Sequence, residues 1–504
     1  MATTQDIAAC ENKFQLWLKN RKLMEKEHQV KGIRWCINHE LTMKDGIHGG
    51  IIADEMGLGK TILMLGIMVA NFQHTGTIVV VPPSLLEQWR KEIHRLIGIE
   101  PAVYHGKTLK SVRAQLKNGE VPEILLTTYG IVQSRKDDSP LFTPTWGRKI
   151  CDEAHHTRNG GKLFQKITKV KAGIRWLVTG TPIQNRSRDL LALCVILGLK
   201  PAFEAQPAET KNIILRHCLR RTKTSIGIKL PPVKYHNVNV EWRSEEEKSF
   251  AMDVHSQLGF PQVSGRNVNR VMDFLAGDSP LAWLTRMRQV CIFPHLLQKQ
   301  VEQLIDDGVI EEDCAIRNIR TISKISSVVE KLLERKHNDR RKLVFSHYHG
   351  EIDVIKALLE QKGVSVAVID GRQKAKDKKR ITEKAVTKMQ FASICKATRK
   401  IANAGLYSRI MDYVAPQVCI CQILTTSEGL NLQHFQEIYF TSPWWNPALE
   451  DQAIARAHRI GQDQHVDVFR FAMDGFGGNS QSLDQYCLTV QQTKRDIVKE
   501  FGFN

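Results

Sequence analysis

Two separate series of short apolar runs, each alternating with longer amphipathic stretches, constrain this 504-residue chain more than any other feature. In the first, spanning 49–199, the runs are IVVV (78–81), ILLT (124–127) and RWLVT (175–179). Runs this short, followed by helical patterns, predict parallel strands joined by crossover helices. The second comprises KLVFSH (342–347), VSVAVID (364–370), CICQILT (419–425) and EIYFT (437–441), and ends near VDVFRF (466–471). The expectation is an α/β chain with two lobes. Its length also exceeds what one hydrophobic core usually serves.

Between the series, residues 200–320 read as mostly helical, interrupted at Leu230-Pro231-Pro232, where two prolines cannot continue a helix. These features predict a first lobe with a helical protrusion over 1–228. An interlobe linker and a protrusion of the second lobe follow over 229–320, then the second lobe over 321–480 and a closing helix over 481–504.

Lys and Arg number 72 against 53 Asp and Glu, leaving a net charge of +19. Such a balance suits a polyanionic partner, nucleic acid or an anionic membrane surface. Eleven of those basic residues fall in 371–400, where the sequence predicts an insertion in the second lobe extending to 417. No apolar run is long enough to span a bilayer, and the first residues lack the plan of a secretory signal, so an intracellular protein is expected. Cysteines number 11 and are scattered; Cys419 and Cys421 form a C-x-C with no second pair to complete a zinc site.

Four segments carry chemistry. In GGIIADEMGLGKT (49–61) an apolar strand precedes a glycine turn and a helical run. Such a turn aims backbone N–H groups at a phosphate chain, so Asp54, Gly57 and Gly59 are expected to line a nucleotide. Lys60 would reach its outer phosphates and Thr61 would offer a hydroxyl to magnesium. The general pattern of such turns has glycine at the position of Asp54. CDEAHH (151–156) follows the short strand RKIC. Asp152 there suits magnesium, and Glu153 suits orienting the attacking water. LVTGTPIQN (177–185) places Thr179 and Thr181 around a glycine, a turn able to sense the magnesium site. DQAIARAHRIGQ (451–462) puts Arg456 and Arg459 three apart on an expected helix, both on one face. Guanidinium groups at a γ-phosphate stabilise the charge that develops in phosphoryl transfer. Because Lys60 and Arg456 fall in different lobes, the expected site is composite and closes around ATP.

In ordered succession these motifs resemble those of the SWI/SNF-type ATPases, the chromatin-remodelling branch of superfamily 2 helicase-like proteins. The resemblance covers 24–492 and includes QVKGIRW (29–35), VVVPPSLLEQWRKEI (79–93), LTTYG (126–130), LRRTK (219–223), VIDGR (368–372), TTSEGLNL (425–432) and SPWWNPALEDQAIARAHRIGQ (442–462). It implies two RecA-like lobes, ATP and Mg²⁺ as cofactors, and contact of Gln29 with the adenine. Gly429 and Gln452 are further implied nucleotide contacts. Ser84, Gln88, Trp89, Thr127, Thr128, Ser346, Gly371 and Thr425 match the family's contacts with the DNA backbone, and such contacts carry little sequence information.

The implied activity is ATP-driven movement along double-stranded DNA that remodels or displaces bound proteins, nucleosomes among them, by a monomer; a chromatin-directed motor would be nuclear, and a cytoplasmic or viral setting stays open. Two alternatives remain open: a strand-separating helicase on DNA or RNA, and a nucleotide-gated scaffold with impaired hydrolysis. The family pattern is broken at Glu428, where glycine is usual, and by a longer loop between Arg380 and Val418. No inserted RING module or flanking chromatin-reading module is visible.

Overall fold

In a computed structural model of the protein, the described residues are 4–157, 161–182, 187–199, 212, 214–256, 278–298, 319–373, 416–426, 432–478 and 480–500. They divide into two units, Met1–Lys229 with Asp496–Asn504, and Leu230–Arg495. The positions 374–415 and 427–431, which hold most of the basic stretch together with Glu428 and Gly429, lie outside the described residues.

The first unit runs α1 (Thr4–Asn20), α2 (Glu27–Leu41), β1 (His48–Ile52), α3 (Lys60–Ala70), β2 (Thr77–Val81), α4 (Leu86–Leu96), β3 (Ala102–Tyr104), α5 (Leu109–Lys117), β4 (Ile124–Thr128), α6 (Tyr129–Ser134), β5 (Trp146–Asp152), α7 (Lys162–Lys169), β6 (Ala172–Val178), α8 (Ser187–Leu197) and β7 (Cys218–Leu219). Its strands form one parallel sheet in the order β3-β4-β2-β5-β6-β1-β7. Both faces of the sheet are covered, which is why β2 and β4 are buried at every position and do not alternate apolar with exposed polar residues. Alternate residues feed opposite cores: Ile78 and Val80 pack with Tyr129 and Leu141, while Val79 and Val81 pack with Phe14 and Trp89.

The second unit contains β8 (Val233–Val240), α9 (Glu245–Ser256), α10 (Asp278–Ile292), α11 (Ser323–Glu334), β9 (Lys342–Ser346), α12 (His349–Gln361), β10 (Val366–Ile369), β11 (Val418–Gln422), α13 (Ile423–Thr426), β12 (Glu437–Phe440), α14 (Pro447–Ala457), β13 (Val466–Met473) and α15 (Leu483–Glu500) as far as Arg495. Its sheet is again wholly parallel, ordered β10-β11-β9-β12-β13-β8. Two parallel sheets flanked by helices meet the α/β, two-lobed expectation.

Two local expectations change. Residues 233–240 were expected within the helical interval, yet β8 pairs with β13 along its whole length. The strand lies at an edge and is exposed over Lys234–Asn237, so it has no apolar run to announce it. The segment CICQILT is strand only through Gln422, after which α13 begins.

Candidate functional site

The carboxyl ends of three adjacent strands define the site in the first unit: Asp152 of β5 is in register with Val178 of β6, and Val178 with Ile52 of β1. Ligands of open parallel sheets bind at such ends, where connecting loops lead into helix N-termini. The loop leaving β1 turns through Gly57 and Gly59, with φ of 89° and 87°, a region side chains avoid. A Cβ on Gly59 would stand 2.5 Å from Gln29 Nε2, so glycine here also admits α2 against the loop. Gln29 is buried, and its Nε2 donates to Leu58 O at 3.4 Å.

Among the described residues no side chain caps α3. Its first amides therefore form a positive helix end open to an anion. Lys60 starts the helix and donates to Asp54 O at 2.9 Å. Its Nζ stands 3.3 Å from where a Cβ on Gly180 would sit, so the glycine between Thr179 and Thr181 keeps space around the ammonium. Thr61 lies in the same first turn.

Asp54 departs from its expected role. Its backbone is not left-handed, so glycine is not required there. Its buried carboxylate accepts the Arg221 backbone N–H and Nε, both at 3.0 Å, and closes an ion pair with Nη2. The side chain thus braces the loop rather than lining it. The rest of LRRTK does the same: Arg220 Nη1 donates to Ala53 O at 3.0 Å, and Lys223 pairs with Glu55 at 2.7 Å. Sequence reading noted this segment without assigning it a task, since its partners lie some 167 residues away.

Asp152 ends β5 with both carboxylate oxygens engaged. Oδ1 accepts the Glu153 N–H at 2.9 Å and Oδ2 accepts the Trp89 indole N–H at 2.8 Å, while Tyr129 OH donates to the Asp152 carbonyl at 2.7 Å. Burial, reinforced by the neighbouring Glu153 carboxylate, pushes the Asp152 carboxyl above its ordinary range. Glu153 has φ of 50°, a left-handed conformation that is costly for a residue with a Cβ. Its Oε2 lies 3.3 Å from His155 Nδ1, which is itself 3.2 Å from Thr179 Oγ1. The Thr181 N–H donates to the same hydroxyl at 3.1 Å. Carboxylate pair, histidine and threonine turn therefore form one chain across β5 and β6. A buried Asp152 with a half-buried Glu153 next to it offers the oxygen donors that suit a hard divalent cation such as magnesium, whose binding would favour the ionised form.

The expected nucleic-acid contacts divide by exposure. Ser84 and Gln88 are exposed and four residues apart. Trp89 is only 1 % exposed and offers no surface to a strand, because its ring packs in the core. Thr127 Oγ1 donates to Tyr104 O at 3.0 Å, and Thr128 Oγ1 caps α6 by accepting the Ile131 N–H at 3.4 Å. Both are buried, so these hydroxyls serve the fold. In the second unit Ser346 is buried at the end of β9 and Gly371 is exposed. Thr425 belongs to α13, but its side chain lies outside the described residues.

In the second unit α14 carries Gln452 and Arg456 and ends at Ala457. Arg459 follows the helix rather than sharing its face, which corrects the reading of the two arginines as one helical pair. Burial pulls the Arg459 guanidinium below its usual value. Gln452 is buried, with no partner for its Nε2 among the described residues. Asn446 caps α14 through the Ala448 N–H, and Pro447 opens it. Buried Glu450 accepts the Trp444 N–H at 2.9 Å, Gln491 Nε2 at 2.6 Å and Arg470 Nε at 3.0 Å. Arg288 of α10 lies over both Trp444 and Trp445, at 4.9 and 5.0 Å from the ring centres. The tryptophan-rich approach to the arginines is thus a packed anchor for α14, which carries Arg456.

A glycine-shaped loop at a helix N-terminus, a lysine and a carboxylate pair, all at the carboxyl ends of a parallel sheet, define a phosphate-binding α/β protein. The chain belongs to the SNF2-related family: residues 28–296 match the SNF2-related domain, and 323–461 match the helicase conserved C-terminal domain. Similar proteins include an uncharacterized ATP-dependent helicase of Mycoplasma genitalium, 25% identical over 98% of this chain and 44% of its own length. The DNA repair protein RAD5 of Candida glabrata is 26% identical over 90% of this chain and 54% of its own. A probable global transactivator of Orgyia pseudotsugata multicapsid polyhedrosis virus is 24% identical, over 94% of this chain and 90% of that protein. The chain spans less than half the length of the mycoplasma helicases it matches. Among solved structures, the Sulfolobus solfataricus SWI2/SNF2 ATPase core in complex with dsDNA is 23% identical, covering 90% of this chain and 89% of that one, with a TM-score of 0.39.

Proposed function

We propose that the chain is a DNA-dependent ATPase that moves along duplex DNA and displaces or repositions proteins bound to it. The observation that carries this reading is the meeting of Lys60, Asp152, Glu153 and the Thr179 turn at the ends of β1, β5 and β6, in a chain of the SNF2-related family. Lys60 and the α3 N-terminus hold the phosphates, with Gly57 and Gly59 keeping the loop open and Gln29 beside the base. Thr61 and Asp152 hold Mg²⁺, which neutralises phosphate charge when bound. Glu153 orients the attacking water and takes its proton, and the His155–Thr179 link senses the change. Arg456 and Arg459 supply positive charge from the second lobe, and Gln452 and Gly429 complete that side of the nucleotide. Ser84 and Gln88 of the first lobe, and Gly371 and Thr425 of the second, are assigned to the DNA backbone. The protein works within the cell, as a monomer on DNA, and nucleosomes are among its candidate obstacles where it is nuclear.

The mycoplasma relatives carry the name helicase, which makes strand separation the second arm of the test. ATP hydrolysis is measured alone and with duplex DNA, single-stranded DNA or RNA, followed by displacement of a triplex-forming strand. Stimulation by duplex with triplex displacement supports translocation. Preference for single strands, with unwinding of a forked duplex, transfers the reading to a helicase. Turnover at background under every condition refutes both.

A further inference from the structure

Two donors converge on Asp152 from the segments that follow β2 and β4, the first of which the proposed function assigns to gripping DNA. The first follows β2. Ser84, in the short turn just before α4, and Gln88, in the first turn of α4, are both exposed. The next residue, Trp89, turns inward and donates its indole N–H to Asp152 Oδ2 at 2.8 Å, across 63 residues of sequence. The second segment follows β4, where Tyr129 donates its hydroxyl to the Asp152 carbonyl at 2.7 Å. In the sheet order β4-β2-β5 both segments leave strands on the same side of β5. Trp89 packs in the core on one face of the sheet and Tyr129 in the core on the other. Asp152 is therefore clasped from both faces.

Nothing in the packing alone requires this pairing. Trp146, equally buried, has an indole N–H with no partner among the described residues. A hydrogen bond to a carboxylate is stronger and more directional than one between neutral groups, so displacement of α4 would turn the plane of the Asp152 carboxylate. With the Glu153 N–H holding Oδ1, the orientation of the carboxylate depends on two donors, while Tyr129 holds the main chain beneath it.

We propose that Trp89 and Tyr129 are positioning residues that couple DNA engagement to the magnesium-binding carboxylate. Duplex DNA held at Ser84 and Gln88 sets the position of α4, Trp89 transmits it to Oδ2, and Tyr129 keeps the end of β5 in place. This rests on the ATPase reading above. It replaces direct DNA contact by Trp89 with an indirect role.

The test uses the full chain with Trp89→Phe and Tyr129→Phe, each of which keeps the ring and removes the donor. Hydrolysis is followed across a Mg²⁺ titration with and without duplex DNA, and DNA affinity is measured separately by anisotropy of a labelled duplex. The expected result is a rise of roughly tenfold in half-saturating Mg²⁺ and a fall of similar size in stimulation by DNA, with DNA affinity and thermal midpoint near those of the parent. Should Trp89→Phe fail to fold, Tyr129→Phe, which loses a single oxygen, carries the test. Mg²⁺ dependence and stimulation within twofold of the parent in the folded variants overturn the proposal. A loss of DNA affinity that fully accounts for the loss of stimulation also overturns it, returning Trp89 to direct contact. A parent protein that shows no DNA-stimulated hydrolysis refutes instead the function on which the proposal rests.

Discussion

Replacing Glu40 with glutamine isolates the electrostatic joint beneath the site. Glu40 near the end of α2 and Arg148 in β5 are fully buried, and the guanidinium meets the carboxylate at two points, 2.7 and 2.6 Å apart. Asn71 Nδ2 and Trp176 Nε1 donate to the same carboxylate at 2.7 and 2.6 Å. Glutamine keeps the shape, removes the charge and turns one acceptor into a donor facing donors. Breaking a buried pair in this way costs about 3–5 kcal/mol, because the remaining charge is left uncompensated. The two partners are not equivalent. A guanidinium left buried without its carboxylate keeps its charge, so Glu40→Gln is expected to cost more than Arg148→Met. The double variant buries no charge. It should recover most of the loss, ending about 1–2 kcal/mol below the parent for the donors that remain poorly matched. Urea unfolding of the four proteins, followed by tryptophan fluorescence, measures each value and their coupling. A cost below about 1 kcal/mol for Glu40→Gln, or strict additivity in the double variant, would refute the claim that charge pairing joins α2 to the strand bearing Asp152.

Glu153→Gln should lower turnover by about 10²- to 10⁴-fold with nucleotide binding retained, read by steady-state hydrolysis beside fluorescent-nucleotide titration; unchanged turnover removes Glu153 from the chemistry. Gly59→Ala should weaken nucleotide binding and cost about 1–2 kcal/mol of stability, since φ is 87° and the new Cβ meets Gln29 Nε2 at 2.5 Å; a thermal midpoint equal to the parent's would contradict it. His255 is held neutral: its Nδ1 donates to Ala251 O at 2.6 Å, its Nε2 accepts the Leu483 N–H at 3.1 Å, and burial lowers its pKa from 6.5 to about 4. Between those values the unfolded chain binds more protons than the folded one. Stability should thus fall as pH drops through about 6.5 to 4 and level off below, by about 3 kcal/mol from this residue. Comparing urea midpoints of the parent and His255→Gln across that range checks it; parallel curves would show that His255 contributes no slope.

Much of the architecture was legible because its signals are local. Strands buried on both faces, such as β2 and β4, carry consecutive apolar residues, over 78–81 and 124–126, so each announces itself locally. The loop into α3 is equally local, since the left-handed turns at Gly57 and Gly59 demand that residue type. β8 was illegible for the converse reason: an edge strand exposed over its middle needs no apolar run, and only its pairing with β13 makes it a strand. The end of α14 at Ala457, one turn short of the expected stretch, is likewise settled by the fold around the helix.

What the sequence by itself determined is the kind of chain: two parallel α/β lobes, a phosphate-binding turn, an acidic pair at a strand end, and family membership through ordered motifs. What only the tertiary structure decided is how side chains are spent. Asp54 belongs to Arg221 rather than to the loop's interior, Trp89 to Asp152 rather than to a surface, and the tryptophans before α14 to Arg288. The reason is physical. A backbone turn or an apolar period is set by neighbours in the chain, whereas a buried hydrogen bond or ion pair is chosen by whichever groups the fold brings within about 3 Å, however far apart they are in sequence.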